Sequence, residues 1–190
     1  AQPLGTHIGN ALEVKDAIDV LAGRTQGDLL EISLLLGSHM LLLAEKAKTL
    51  PEARAMLENA LSSGAGLRKL AEMIAAQGGD PRVVEDLSLL PQAEVKRVMR
   101  AEMAGYLSAM DTTALGMAAQ RMGAGRAKKS DMLDYSVGYV LHVRLGDEVT
   151  EDTLLATLYA RNEAEAEEAE KAIRKALTIA KEKPSVPVSY

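Results

Sequence analysis

The stretch from Asp28 to about Lys48 places the strongest demand on any fold this chain adopts. Leu29, Leu30, Ile32, Leu34, Leu35, Leu36, Met40, Leu41, Leu42 and Leu43 cover nearly every side of one predicted helix. A helix that is apolar all round is buried within a larger body. Its run from Ile32 to Ala44 contains Gly37, Ser38 and His39 and is too short to span a bilayer. Asp28 is the expected cap, with Glu31 three residues later as its capping-box partner. Few other predicted elements could cover such a helix, and the numbering starts at Ala1 without an initiator Met. The expectation is a piece of a longer chain.

Before that helix, Gln2-Pro3-Leu4-Gly5 is a turn that reads like the end of a strand, and it leads directly into a helix predicted over Ile8 to Leu21 and stopped by Gly23. After it come two more helices. One starts near Pro51 and ends near Gly64, and the other runs from Leu67 to Gln77 and is closed by Gly78-Gly79-Asp80-Pro81. Val83 to Gln92 has little periodicity and reads as a connector. The predicted domains are therefore 1–86, helical, and 92–190, α+β. In the second, Val95 to Met99 alternates weakly, and Gly105 to Met110, Val137 to Val143 and Thr153 to Tyr159 read as strands. Asp111 is expected to cap a helix to Met122. Asn162 is expected to cap a charged helix to about Lys181, acidic early and basic late as the helix dipole favours. Pro184 and Pro187 should leave the last residues extended.

Composition narrows the chemistry. The net charge is −5 and no basic patch interleaves with aromatics, which argues against nucleic-acid binding. There is no Trp or Phe, so the core must be aliphatic, Ala and Met. The absence of Cys excludes disulfides, thiolate metal sites and cysteine nucleophiles, and it suits a cytoplasmic protein. No signal or membrane segment is expected. His7, His39 and His142 lack metal-ligand spacing and read as structural. Gly123-Ala124-Gly125-Arg126-x-x-Lys129 lacks the length and terminal Lys-Ser/Thr of a P-loop and reads as a turn. Mutual salt-bridging explains the alternating charges of Arg126, Lys129, Asp131 and Asp134 at least as well as catalysis does. Gly146 to Leu158 is similar to the hairpin of biotinyl and lipoyl carrier domains, but no lysine follows at a hairpin tip. At the opening turn, carbonyls without an obvious ladder partner and a carboxylate shortly afterwards could hold a small hard cation, although an ordinary turn and solvated helix face explain the same residues.

Four stretches, in order, carry more information than their spacing. They are Gln2-Pro3-Leu4-Gly5-x-x-Ile8-Gly9-Asn10-Ala11-Leu12-Glu13-Val14; Ala76-Gln77-Gly78-Gly79-Asp80; Gly123-Ala124-Gly125-Arg126-x-x-Lys129-x-Asp131-x-x-Asp134-x-x-Val137-Gly138; and Gly146-Asp147-x-Val149. Together they resemble the C-terminal half of the pyrimidine-nucleoside phosphorylases, the family that includes thymidine phosphorylase. The resemblance implies that the first domain is the helical remainder of an α/β domain and that the second is an α/β-hammerhead-like α+β domain. It implies reversible cleavage of uridine or thymidine by phosphate, as co-substrate, to the free base and pentose 1-phosphate in a homodimeric enzyme. It also implies a potassium ion held in part by the carbonyls of Leu4 and His7 and the carboxylate of Asp16. His7 stands where the family commonly has a small residue, and Asp16 where it commonly has Glu. The family's phosphate- and base-binding residues lie in an N-terminal half with no counterpart here, so no catalytic residue is expected in this chain and it should be inactive alone. The alternative is a stand-alone binding or interaction module that reuses these domains.

Overall fold

The computed structural model describes residues 2–186. They divide into two compact units, one of residues 2–14 with 90–186 and one of residues 15–89. Among the described residues the architecture is α+β, with six α-helices and two small antiparallel sheets.

The 15–89 unit is helical. It takes the later turns of α1 (Asn10–Leu21), then α2 (Asp28–Leu43), α3 (Leu50–Ser62) and α4 (Ala65–Ala76), and closes with single 3-10 turns at Pro81–Val84 and Leu87–Leu89. Val20, Leu30 and Leu34 form a buried cluster with Leu29, Leu57 and Leu61 against it. Arg54 on α3 makes two 3.0 Å hydrogen bonds to the Glu31 carboxylate on α2, one to each oxygen. Helix α2 buries Leu30, Leu34 and Ser38, while Leu36, Met40 and Leu43 are 58%, 67% and 86% exposed in this chain. Its start also differs from expectation. Gly27, at φ 122°, is the N-cap and Asp28 the first helical residue, so the capping box does not form.

Three helices end in the same way. After α1 the Gly23 N–H bonds the Val20 carbonyl and the Arg24 N–H bonds the Asp19 carbonyl. After α4, Gly78 and Gly79 do the same to Ala75 and Ile74. This is the Schellman arrangement, in which a left-handed residue lets the chain fold back onto its last carbonyls. Helix α2 uses it too, with Glu45 bonding Leu42 and Lys46 bonding Leu41. The left-handed residue there is Glu45, at φ 54°. That is why α2 stops at Leu43 rather than near Lys48: no glycine marks the end. The Glu45→Gly variant removes the steric penalty of a side chain in this conformation. It should raise stability by about 0.5–1 kcal/mol in urea denaturation, part of the relief being lost to the entropy of glycine in the unfolded chain.

The other unit holds all the strands found among the described residues. One sheet has the order β1 (His7–Ile8), β4 (Gly138–Leu141), β6 (Leu154–Ala160), β2 (Val95–Arg100). The second has β5 (Glu148–Val149), β3 (Gly105–Met110), β7 (Leu177–Ala180). Helix α5 (Thr112–Ala119) is capped by Asp111, whose carboxylate accepts from Ala114 N–H, and its end widens into a π-turn over Gln120–Ala124. Helix α6 (Glu163–Ala176) is capped by Asn162 and places Ala166, Ala169, Ile173 and Ala176 on its buried face. Three alanines among those four let the helix sit close to β6 and β2. One core joins both sheets to both helices, centred on Met99, Leu107, Leu115, Tyr139, Leu158 and Ile173. The Tyr139 hydroxyl donates to the Leu115 carbonyl at 2.8 Å, and burial pushes its ionisation upward.

Two strands differ from the sequence reading. Helix α6 stops at Ala176 instead of near Lys181. Leu177–Ala180 pairs instead with Tyr106–Met110, because strand pairing offers its β-branched Thr178 and Ile179 a full ladder. The stretch from Gly146 to Leu158 is not a hairpin, since β5 pairs with β3 and β6 pairs with β4 and β2. Pro187 lies outside the described residues.

Alternation along β2 puts Arg97 on the side that faces α6, where its Nε donates to Glu170 at 2.6 Å. Arg174 donates to the other Glu170 oxygen at 2.9 Å. Burial opposes ionisation of Glu170, but these two hydrogen bonds prevail and hold its carboxyl below the usual range. Its contribution to stability is therefore complete above the unfolded pKa of 4.5 and is lost as pH falls through the lower folded value. Denaturation midpoints measured across that window should fall with acid, and the fall should be shallower in Glu170→Gln.

Candidate functional site

Three of the four ordered motifs meet at the opening turn. The Gln2 side-chain carbonyl accepts from Leu145 N–H at 2.9 Å. The Arg144 guanidinium donates to three successive carbonyls: Nη1 to Pro3 at 2.8 Å and Gly5 at 3.5 Å, and Nη2 to Leu4 at 3.2 Å. The Arg144 N–H in turn donates to the Asp147 carboxylate at 2.7 Å, which fixes the turn that carries the Gly146-Asp147 motif. Downstream, the Thr6 carbonyl accepts from Leu141 N–H at 2.8 Å, and β1 pairs with β4 in the register His7–Val140, Ile8–Tyr139. The two backbones approach so closely at Gly9 and Gly138 that side chains cannot fit. A Cβ on Gly138 would collide with the Ile8 carbonyl, and one on Gly9 would lie 2.5 Å from the Val137 carbonyl. Because His7 and Ile8 are spent on this pairing, helix α1 starts at Asn10 rather than Ile8.

The first turn of α1 is then tied to the glycine-rich motif. The Asn10 side-chain amide donates to the Ala124 carbonyl at 2.8 Å, and Ala11 N–H donates to the Tyr135 carbonyl at 3.0 Å. The second of these bonds satisfies a main-chain donor that a helix start leaves open. Within that loop, Asp131 accepts from the N–H groups of Ala127 and Lys128 at 3.0 and 2.8 Å. Asp134 accepts from the N–H and hydroxyl of Ser136. Among the described residues Arg126, Lys129, Asp131 and Asp134 form no ion pair with one another, contrary to the charge pattern. The aspartates hold backbone, and the cations are exposed. An open recess of about 520 Å³ lies beside this junction, lined by Gly9, Asn10, Glu13, Thr112, Gln120 and Arg126 among others.

The residues assigned to potassium divide between the units. Leu4 and His7 belong to the strand-bearing unit. Alternation along β1 turns the His7 carbonyl away from β4, since that of Thr6 points toward it. The His7 ring pairs with the Thr6 hydroxyl at 3.0 Å. Asp16 lies on α1 in the 15–89 unit and is 4% exposed. Among the described residues no group of three or more His, Asp or Glu side chains could hold a metal ion. Two main-chain carbonyls and a buried carboxylate are nevertheless the hard oxygen donors that a cation of this class takes. The guanidinium on the Leu4 carbonyl is a direct sign that this turn attracts positive charge. The donors fit in kind. Arg144 was not legible as part of the site, because nothing in its local spacing points 140 residues back to the turn.

His142 meets the Thr157 hydroxyl at 2.8 Å, and burial followed by nearby Lys96 lowers its pKa. The fourth motif, Ala76 to Asp80, is the helix stop after α4, with Asp80 capping the following 3-10 turn. Replacing Asp131 by Ala should cost about 1 kcal/mol, because two backbone N–H donors lose their carboxylate acceptor. Amide hydrogen exchange at Ala127 and Lys128 should accelerate, while that of β4 stays slow.

Residues 106–180 match the model of the pyrimidine nucleoside phosphorylase C-terminal domain. Over 163 residues, 86% of this chain, the sequence is 49% identical to the pyrimidine-nucleoside phosphorylase of Geobacillus stearothermophilus and 48% identical to that of Bacillus subtilis, covering 38% of each. It is 43% identical to the Staphylococcus aureus protein of the same name over 179 residues, 94% of this chain and 41% of that protein. The chain thus spans about two fifths of the length of these relatives. Residues 106–180 thus form a pyrimidine nucleoside phosphorylase C-terminal domain, and most of the chain is similar to part of the pyrimidine-nucleoside phosphorylases.

Proposed function

We propose that this chain is the C-terminal part of a pyrimidine-nucleoside phosphorylase, a pentosyltransferase of nucleoside salvage. The reading rests on 43–49% identity across 86–94% of the chain to proteins of that name. In the reaction, phosphate attacks C1′ of uridine or thymidine, the C1′–N bond breaks, and the base leaves with its electron pair to be protonated. Pentose 1-phosphate is the other product. The groups that bind phosphate and base are supplied by sequence outside these 190 residues, as the resemblance implies. The complete protein is taken to be a cytoplasmic homodimer. Among the described residues no helix is long and apolar enough to cross a membrane.

What this chain contributes is scaffold and cation ligation. The carbonyls of Leu4 and His7 and the carboxylate of Asp16 would hold potassium. The bound ion supplies a fixed positive charge near the phosphate-binding loop. The shorter reach of Asp16, compared with Glu, makes it the ligand most sensitive to change. The complete protein should release uracil or thymine from the nucleoside only when phosphate is present, and the 190-residue polypeptide alone should release none. Absence of phosphate-dependent base release from the complete protein would overturn the reading. Asp16→Ala in the complete protein should raise the potassium concentration needed for half-maximal activity about tenfold or more. An unchanged requirement would remove Asp16 from the ligand set.

A further inference from the structure

Three successive carbonyls rarely face one point, because neighbouring peptide dipoles in extended chain alternate and converging oxygens repel. At Pro3, Leu4 and Gly5 they do converge, and the Arg144 guanidinium is the group they converge on. The clamp is reciprocal. Gln2 accepts from Leu145, the neighbour of Arg144, and Asp147 holds the Arg144 main chain. The hydrogen bond to Leu4 is 3.2 Å long and takes one lone pair of that carbonyl, which leaves the other for a second partner.

We propose that Arg144 is a positioning residue for the cation site of the opening turn: it aims the Leu4 carbonyl by fixing the carbonyls on either side. The inference rests on the reading of Leu4 and His7 as potassium ligands. A planar guanidinium with donors on two arms matches carbonyls held side by side, whereas a lysine carries its three donors on one nitrogen at the end of a flexible stem and fixes no such plane.

The test is a potassium titration of the melting temperature of the complete protein, in a choline chloride background of constant ionic strength. Wild type, Arg144→Met, Arg144→Lys and Arg144→Ala are compared. Wild-type melting should rise with potassium. The midpoint of that rise should move to about tenfold or higher potassium in Arg144→Met, the size expected when a group that orients a ligand is lost. Arg144→Lys should fall between the two, and it keeps the test available if the Met variant does not fold. Millimolar guanidinium should return part of the wild-type midpoint to Arg144→Ala and none to Arg144→Met, whose side chain fills the space. A merely structural role would lower melting equally at all potassium concentrations and leave the midpoint in place, which would overturn the inference. A midpoint moved to lower potassium would also overturn it, by showing that the guanidinium competes with the ion. If the wild type itself shows no response to potassium, the metal reading fails; if the wild type responds and every variant matches its midpoint, only the role of Arg144 fails.

Discussion

The opening turn depends on how closely two backbones can approach. A strand of two residues has almost no ladder of its own, and β1 holds its place only because Gly9 and Gly138 bring it against β4 without intervening side chains. Once His7 and Ile8 are pinned there, the chain has one exit. It turns at Gly9 into α1, where the Asn10 side-chain amide meets the Ala124 carbonyl and the Ala11 N–H meets that of Tyr135. At the other end, the same pinning sets the Pro3–Gly5 carbonyls before Arg144. One close contact thus orders a segment that the motifs from 123 onward then cover.

Sequence reading succeeded where a local rule had a single outcome. Asp111 and Asn162 cap the helices expected of them, and Gly23 and Gly78 end theirs. It failed where tertiary pairing outweighed a local signal. Charged α6 could have continued past Ala176, but an unpaired edge of β3 was available to Leu177–Ala180. Glu45 performs the work of a glycine at the end of α2 without looking like one. The strands β5 and β6 follow each other in the chain yet enter different sheets, a choice that no short window contains.

The candidate site was legible in another sense. Spacing alone left the glycine-rich stretch and the opening turn as ordinary turns, and they are turns. What the ordered motifs identified was a set of places where backbone must be held: Asp131 and Asp134 accept from N–H groups, and Asp147 fixes the Arg144 main chain. Residues of this kind look catalytic in a sequence because they are charged and near glycine. Their partners are main-chain atoms, and so they give no pairwise charge pattern that could reveal them.

The core, aliphatic except for Tyr139 at its centre, has an experimental side. With no Trp or Phe in the chain, near-ultraviolet absorption and dichroism come from five tyrosines alone. Tyr139 is fully buried and its hydroxyl is bonded to a helix carbonyl, whereas Tyr135 is more than half exposed. The most enclosed phenol ring among the described tyrosines therefore sits at the seam between β4 and α5. The strand-bearing unit carries a built-in optical label at its centre, and the helical unit of residues 15–89 has no tyrosine and is silent in the same band.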